Sequence, residues 1–148
     1  DYYWNSTQKL NEMFNSMYFL KNNFYEFEDY LVCGTRGWLC PGDTRYTDHD
    51  KKIYLREVGR LKLSLESAVN SGKYNDNIIL MMHFPPTNDK HDKSEFIELI
   101  EKYNIKRVIY GHLHGKKKYD NSLIGNENNV EYSLVSADYL GFKPIKIL

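Results

Sequence analysis

Apolar positions along the chain follow two periods. Leu10, Met13, Phe14 and Met17 recur at spacings of three and four, which predicts an amphipathic helix over Ser6–Met17. Ser6 or Thr7 can cap its start, and the two methionines and Phe14 are assigned to the core. A longer run over Asp50–Ser71 carries Tyr54, Val58, Leu61, Leu65, Ala68 and Val69 on one face, with Gly72 placed to close it. His49, just before it, reads as a surface residue. Between these helices the period shortens. Tyr18–Leu20, Phe24–Phe27 and Tyr30–Gly34 read as consecutive strands, with a turn at Asn22-Asn23 and a break at Asp29.

The second half of the chain alternates strand and helix. Ile78–Met82 is continuously apolar, which suits a central strand buried on both faces, and Pro85-Pro86 forces it to stop just past His83. Asp92-x-x-Glu95 has the form of a capping box ahead of Phe96, Ile97, Leu99, Ile100 and Tyr103. That helix leads into a strand over Lys106–Tyr110, so the whole is a βαβ unit whose crossover is right-handed and whose strands are parallel. Lys116–Lys118 reads as a solvated turn, although three lysines beside an anion site would also raise local anion concentration. Residues Asn121–Asn129 form a polar turn region, followed by Val130–Ser136 and Phe142–Ile147 as half-exposed antiparallel closing strands. The fold class is α/β, in one domain.

Composition narrows the function classes. The formal net charge is zero, which argues against a nucleic-acid or anionic-membrane surface as partner. No apolar run reaches the roughly 18 residues of a membrane span, and the first residues do not resemble a signal peptide. Cys33 and Cys40 lack a Cys-x-x-Cys spacing, so they read as two buried or half-buried thiols of a protein kept in a reducing cytoplasm.

Candidate chemistry lies at the strand ends. Val108–Gly115 reads Val-Ile-Tyr-Gly-His-Leu-His-Gly, and strand alternation would send His112 and His114 to the same side. His83 ends the neighbouring parallel strand, so three imidazoles, each a common metal ligand, converge on one sheet edge. Two ordinary loop histidines remain the simpler account of a lone His-x-His.

Gly111–His114, Gly-His-Leu-His, resembles the last signature of the calcineurin-like metallophosphoesterases, and His83 at the end of its strand resembles the lone histidine before it. The resemblance implies a metal-dependent phosphoester hydrolase, such as a phosphatase, built as a four-layer α/β/β/α sandwich. It implies a dinuclear centre of two divalent ions (Mn, Fe or Zn), with His83 and His112 serving one and His114 the other. The earlier signatures of the family are not found. Asp1, in Asp1-Tyr2-Tyr3-Trp4-Asn5, looks like the final acid of the third and would be the catalytic orienting carboxylate, whereas Gly42-Asp43 lacks the second acid of its motif. Residues 1–148 are therefore expected to be the C-terminal portion of a single metallophosphoesterase domain, inactive alone. The expected partners are a phosphoester substrate and either the N-terminal portion or a second copy.

In the loop after Gly34, Arg36 is a candidate to pair with a substrate phosphate oxygen, against the alternative of a surface arginine with Trp38 as a lid. Asp138 is a possible outer acid, although a turn-forming aspartate is the simpler reading. Two other classes stay open: a non-enzymatic zinc-binding module closed by the three histidines, and a structural fragment that binds nothing by itself. The pattern does not choose among nucleotide, phosphodiester and phosphoprotein substrates.

Overall fold

The computed structural model describes residues 10, 12–73 and 77–148. Six strands form one sheet: β1 (Phe24–Phe27), β2 (Tyr30–Thr35), β3 (Ile78–Met82), β4 (Arg107–Tyr110), β5 (Gly125–Glu127) and β6 (Val130–Leu134). Their order is β1-β2-β3-β4-β6-β5. Pairings β2–β3, β3–β4 and β4–β6 are parallel, and β1 and β5 close the two edges antiparallel. Helices α1 (Asp48–Ala68) and α2 (Glu95–Lys102) join the parallel strands, and a single turn α3 (Lys116–Tyr119) follows β4. The fold is α/β, as the alternation of periods implied.

Strand alternation sorts the side chains. Leu31, Cys33, Leu80, Val108, Tyr110, Tyr132 and Leu134 lie in one buried cluster with Tyr54, Leu61 and Leu65 of α1 and Phe96 and Ile100 of α2. On the other face Val32 and Met81 line a wide trough of about 910 Å³ together with Tyr18, Tyr25 and Val135, while Ile79 and Ile109 are buried. Met81 is 44 % exposed, so β3 is covered on one face and open at that position on the other. One sheet and one helical layer are thus two of the four layers implied above.

Both helices are fixed at their starts. Thr47 and Asp50 form a reciprocal capping box at α1, and Asp50 Oδ1 also accepts from Trp38 Nε1 at 2.9 Å. At α2 the cap is Ser94, whose Oγ accepts from Ile97 N, rather than Asp92. Asp92 instead accepts from the Asn88 amide in the preceding loop. The far end of α1 relaxes into a π-type turn over Val69–Lys73, where Gly72 takes a φ of 72° as a closing glycine should. At the β2–β3 pairing, Gly34 is compelled by space: a Cβ there would stand 2.1 Å from the Met81 carbonyl oxygen.

Several expectations need correction. The hairpin joining β1 to β2 turns at Glu28-Asp29, where the break at Asp29 was expected, but Tyr18–Leu20 is no strand, so Asn22-Asn23 joins no hairpin. The polar region 121–129 contains β5, paired to β6 through Asn128-Asn129, both at positive φ as a tight hairpin requires. Strand β6 is parallel to its inner neighbour β4, and residues 142–147 form no strand, with Phe142 81 % exposed. Of the predicted helix over Ser6–Met17, residues 6–9 and 11 fall outside the described residues. Of its described apolar positions Leu10 is buried, but Met13, Phe14 and Met17 are exposed and helical geometry stops at Met13. No helix among the described residues is long and apolar enough to cross a membrane.

Candidate metal centre

Parallel pairing decides what meets at the sheet edge. The His83 amide donates to the Arg36 carbonyl at 3.1 Å, and the Gly111 amide donates to the His83 carbonyl at 3.1 Å. The ends of β2, β3 and β4 are thereby tied in register just past their last residues. This brings His83 Nε2 and His112 Nδ1 to 3.1 Å. Two nitrogens each about 2.0–2.1 Å from one ion stand about 3.0–3.4 Å apart, so the pair has the spacing of two ligands on one metal.

Both rings favour the neutral form that a metal needs. Burial, with the Arg36 charge adding to it, lowers the His83 pKa from its ordinary value. His112 is pushed down to about 4, first by burial, then by His83, Lys118 and Arg45. Phe84 stacks on the His112 ring with centroids 3.7 Å apart, which fixes its plane. His112 itself has a φ of 68°, a left-handed conformation uncommon outside glycine.

That backbone conformation, and not strand alternation, sets how His112 stands to His114, although both residues line the same trough as His83. Strand β4 ends at Tyr110, and the left-handed residue at 112 breaks the two-residue period before 114 is reached. His114 turns to a separate partner: its Nδ1 lies 2.8 Å from Asp138 Oδ1. Asp138 also accepts from the Gly115 amide and the Tyr119 hydroxyl. Those bonds, the Tyr119 one foremost and His114 after it, hold the Asp138 carboxyl well below the usual carboxylate range. A carboxylate on Nδ1 leaves Nε2 with the lone pair, the arrangement that metal-binding histidines adopt. Asp138 therefore orients a histidine rather than merely shaping a turn.

Arg36 is found elsewhere than in an open cleft. It is 8 % exposed, its guanidinium pairs with Glu57 of α1 at 3.3 Å, and it lies over the Trp38 ring at 4.5 Å. Glu57 also accepts from Thr35 and Arg60, so Arg36 braces the loop behind His83 from the helical side. Glu57 was not singled out in the sequence, where it looks like one more charge on a solvated helix face. Asp1 lies outside the described residues. Cys33 and Cys40 are free, buried thiols.

The donor set fits divalent metal in type but is partial. Three imidazoles lie at one edge, two of them at ligand spacing, yet no group of three His, Cys, Asp or Glu forms a full cage among the described residues. No curated protein and no solved structure matches the chain. Residues 1–116 match the family model for calcineurin-like phosphoesterases, a span that takes in His83, His112 and His114. With that match over most of its length, the chain belongs to the calcineurin-like phosphoesterase family of metal-dependent enzymes.

Proposed function

We propose that this chain supplies the histidine side of a dinuclear active site for phosphoester hydrolysis, loaded with Mn, Fe or Zn ions. The observation that carries the reading is the 3.1 Å approach of His83 Nε2 to His112 Nδ1 at adjacent parallel strand ends. When bound, divalent ions of this kind polarise phosphoryl oxygens and acidify water. The chain's own part is to present neutral nitrogens in fixed directions. His83 and His112 would hold one ion, with Phe84 keeping the His112 plane. His114, oriented by Asp138, would hold the second. Asp1 is the proposed orienting carboxylate, and Arg36 serves the phosphate side only through the loop it braces.

The open trough on the second sheet face supports a covering layer there, from the N-terminal portion of the same protein or from a second copy. Two buried free thiols support residence in a reducing compartment such as the cytoplasm.

Manganese or zinc titration calorimetry on the protein and its variants tests the reading. His112→Ala should abolish binding at one site, and Asp138→Asn should weaken metal affinity about 10- to 100-fold. Manganese-dependent hydrolysis of a generic phosphoester should fall with both. Metal affinity and hydrolysis that are indifferent to His112→Ala would overturn it.

A further inference from the structure

Two hollows meet at His112. One is the trough, which also touches His83 and His114. The other is a separate cavity of about 330 Å³ that touches His112 but neither of the other two histidines. Its walls come from the segments that follow β2, β3 and β4, with Trp38, Phe84 and Leu113 each from a different one, and Leu123 beyond them. In an α/β sheet this is where ligands bind. The volume lies at the lower end of the range, about 300–1,000 Å³, that holds small organic ligands.

We propose that this cavity is the leaving-group pocket of the phosphoester, and that it takes an ester whose alcohol carries a planar aromatic or heteroaromatic ring. The assignment rests on the phosphoesterase reading above. Its first support is rigidity. The Trp38 indole is pinned by Asp50 through its Nε1 and by Arg36 over its ring, and the Phe84 ring lies 5.0 Å from it while stacking on His112. Flat walls held in place favour flat ligands, because little side-chain freedom is lost on binding.

The second support is the state of the polar wall. Thr87 donates to the Asp92 carbonyl at 2.6 Å, the Asn88 amide to the Pro41 carbonyl at 2.8 Å, and Ser122 to the Tyr119 carbonyl at 2.6 Å. These three groups are engaged within their own loops, and of the wall's other polar side chains Thr44, Asp89, Lys117, Lys118 and Asn121 are exposed. A sugar's hydroxyls would therefore meet partners at the rim and few farther in, where they would be desolvated without return. A ring needs none.

Charge supplies the third. Arg45 on the rim is neutralised by Asp43, but Lys117 and Lys118 have no ion-pair partner among the described residues. Unpaired lysines beside the histidines draw in an anionic ester and leave the neutral ring to the cavity. On hydrolysis a water oxygen bonds to phosphorus as the ester P–O bond breaks. One water proton ends on the departing oxygen, so phosphate remains at the histidines and the ring alcohol in the cavity.

Calorimetry on the manganese-loaded protein with phenylphosphonate and methylphosphonate tests the pocket apart from turnover. Phenylphosphonate should bind at least tenfold tighter. Thr44→Trp, which introduces an indole from an exposed position on the cavity wall, should cut that ratio at least fivefold. Asn121→Trp, from another exposed wall position, does the same if the first variant fails to fold. A ratio near one, or a ratio that neither folded variant moves, overturns the pocket. If methyl phosphate is still hydrolysed in that case, the phosphoesterase reading survives. A ring preference that both variants remove, with no phosphoester hydrolysed, keeps the ring site and fails the parent reading instead.

Discussion

The two faces of the sheet use the same strands to opposite ends. On the helical face Cys33, Leu80, Val108 and Tyr110 are completely buried, and α1 and α2 close over them. On the other face Val32, Met81 and Val135 line an open trough. Leu80 and Met81 are neighbours in one apolar strand, yet their surroundings differ as core differs from surface. Apolar character therefore sets only the capacity for burial, worth about 1.5–3 kcal/mol for a full Leu or Met side chain. The layer that happens to lie above the strand decides whether that capacity is used.

Truncation should separate the faces most sharply. Leu80→Ala should cost about 2–5 kcal/mol of stability, by lost transfer energy and a cavity that α1 and α2 cannot fill. Met81→Ala should cost less than about 1 kcal/mol. Urea denaturation of both variants checks this. Equal costs would mean that the trough is covered in solution.

A smaller effect comes from alkaline titration of the helical face. Burial pushes the Cys33 thiol up to about 11 from its ordinary 9.0. The native state thus keeps its proton where the unfolded chain has lost it, so stability is full below about pH 9 and declines as pH rises towards 11. The loss from this one group is about 2–3 kcal/mol. Cys33→Ala should flatten that part of the pH–stability curve. No change in slope would show that the thiol is less shielded than its position beneath α1 implies.

The mildest contrast concerns association. Met81→Lys should leave stability within about 0.5 kcal/mol, since the site is half open, yet reduce self-association if a second copy covers the trough. Sedimentation velocity at rising concentration reads this directly. A monomer unaffected by the substitution would leave the rest of the polypeptide as the only proposed cover.

What could be read from the residues, and what could not, follows the range of each interaction. The β3–α2–β4 unit was legible because a continuous apolar run, a proline stop and a helical period are all local signals. The meeting of His83 and His112 followed from that unit alone, since parallel neighbours end at one edge. The left-handed turn at His112, which ends the strand period before His114, was not legible, because no rule of spacing announces that residue 112 adopts a positive φ. Glu57 was hidden for a different reason. Its three arginine neighbours include Arg36, 21 positions upstream, and only tertiary packing turns a charged helix position into a buried hub. Residues 142–147 alternate in part like a strand but have no edge to join, because β5 already occupies it.

One carboxylate joins the start of α1 to the wall of the ring-binding cavity. Asp50 receives the Thr47 amide and hydroxyl as part of the helix cap, and with its other oxygen it receives the Trp38 indole. Fraying of the first helical turn and swinging of that indole are therefore a single opening event. Occupancy of the cavity should slow hydrogen exchange at the amides of residues 50–52, although no ligand atom comes near them. Heating should loosen the pocket before it melts the sheet. The cavity's grip is thus set in part by the thermal stability of a helix end.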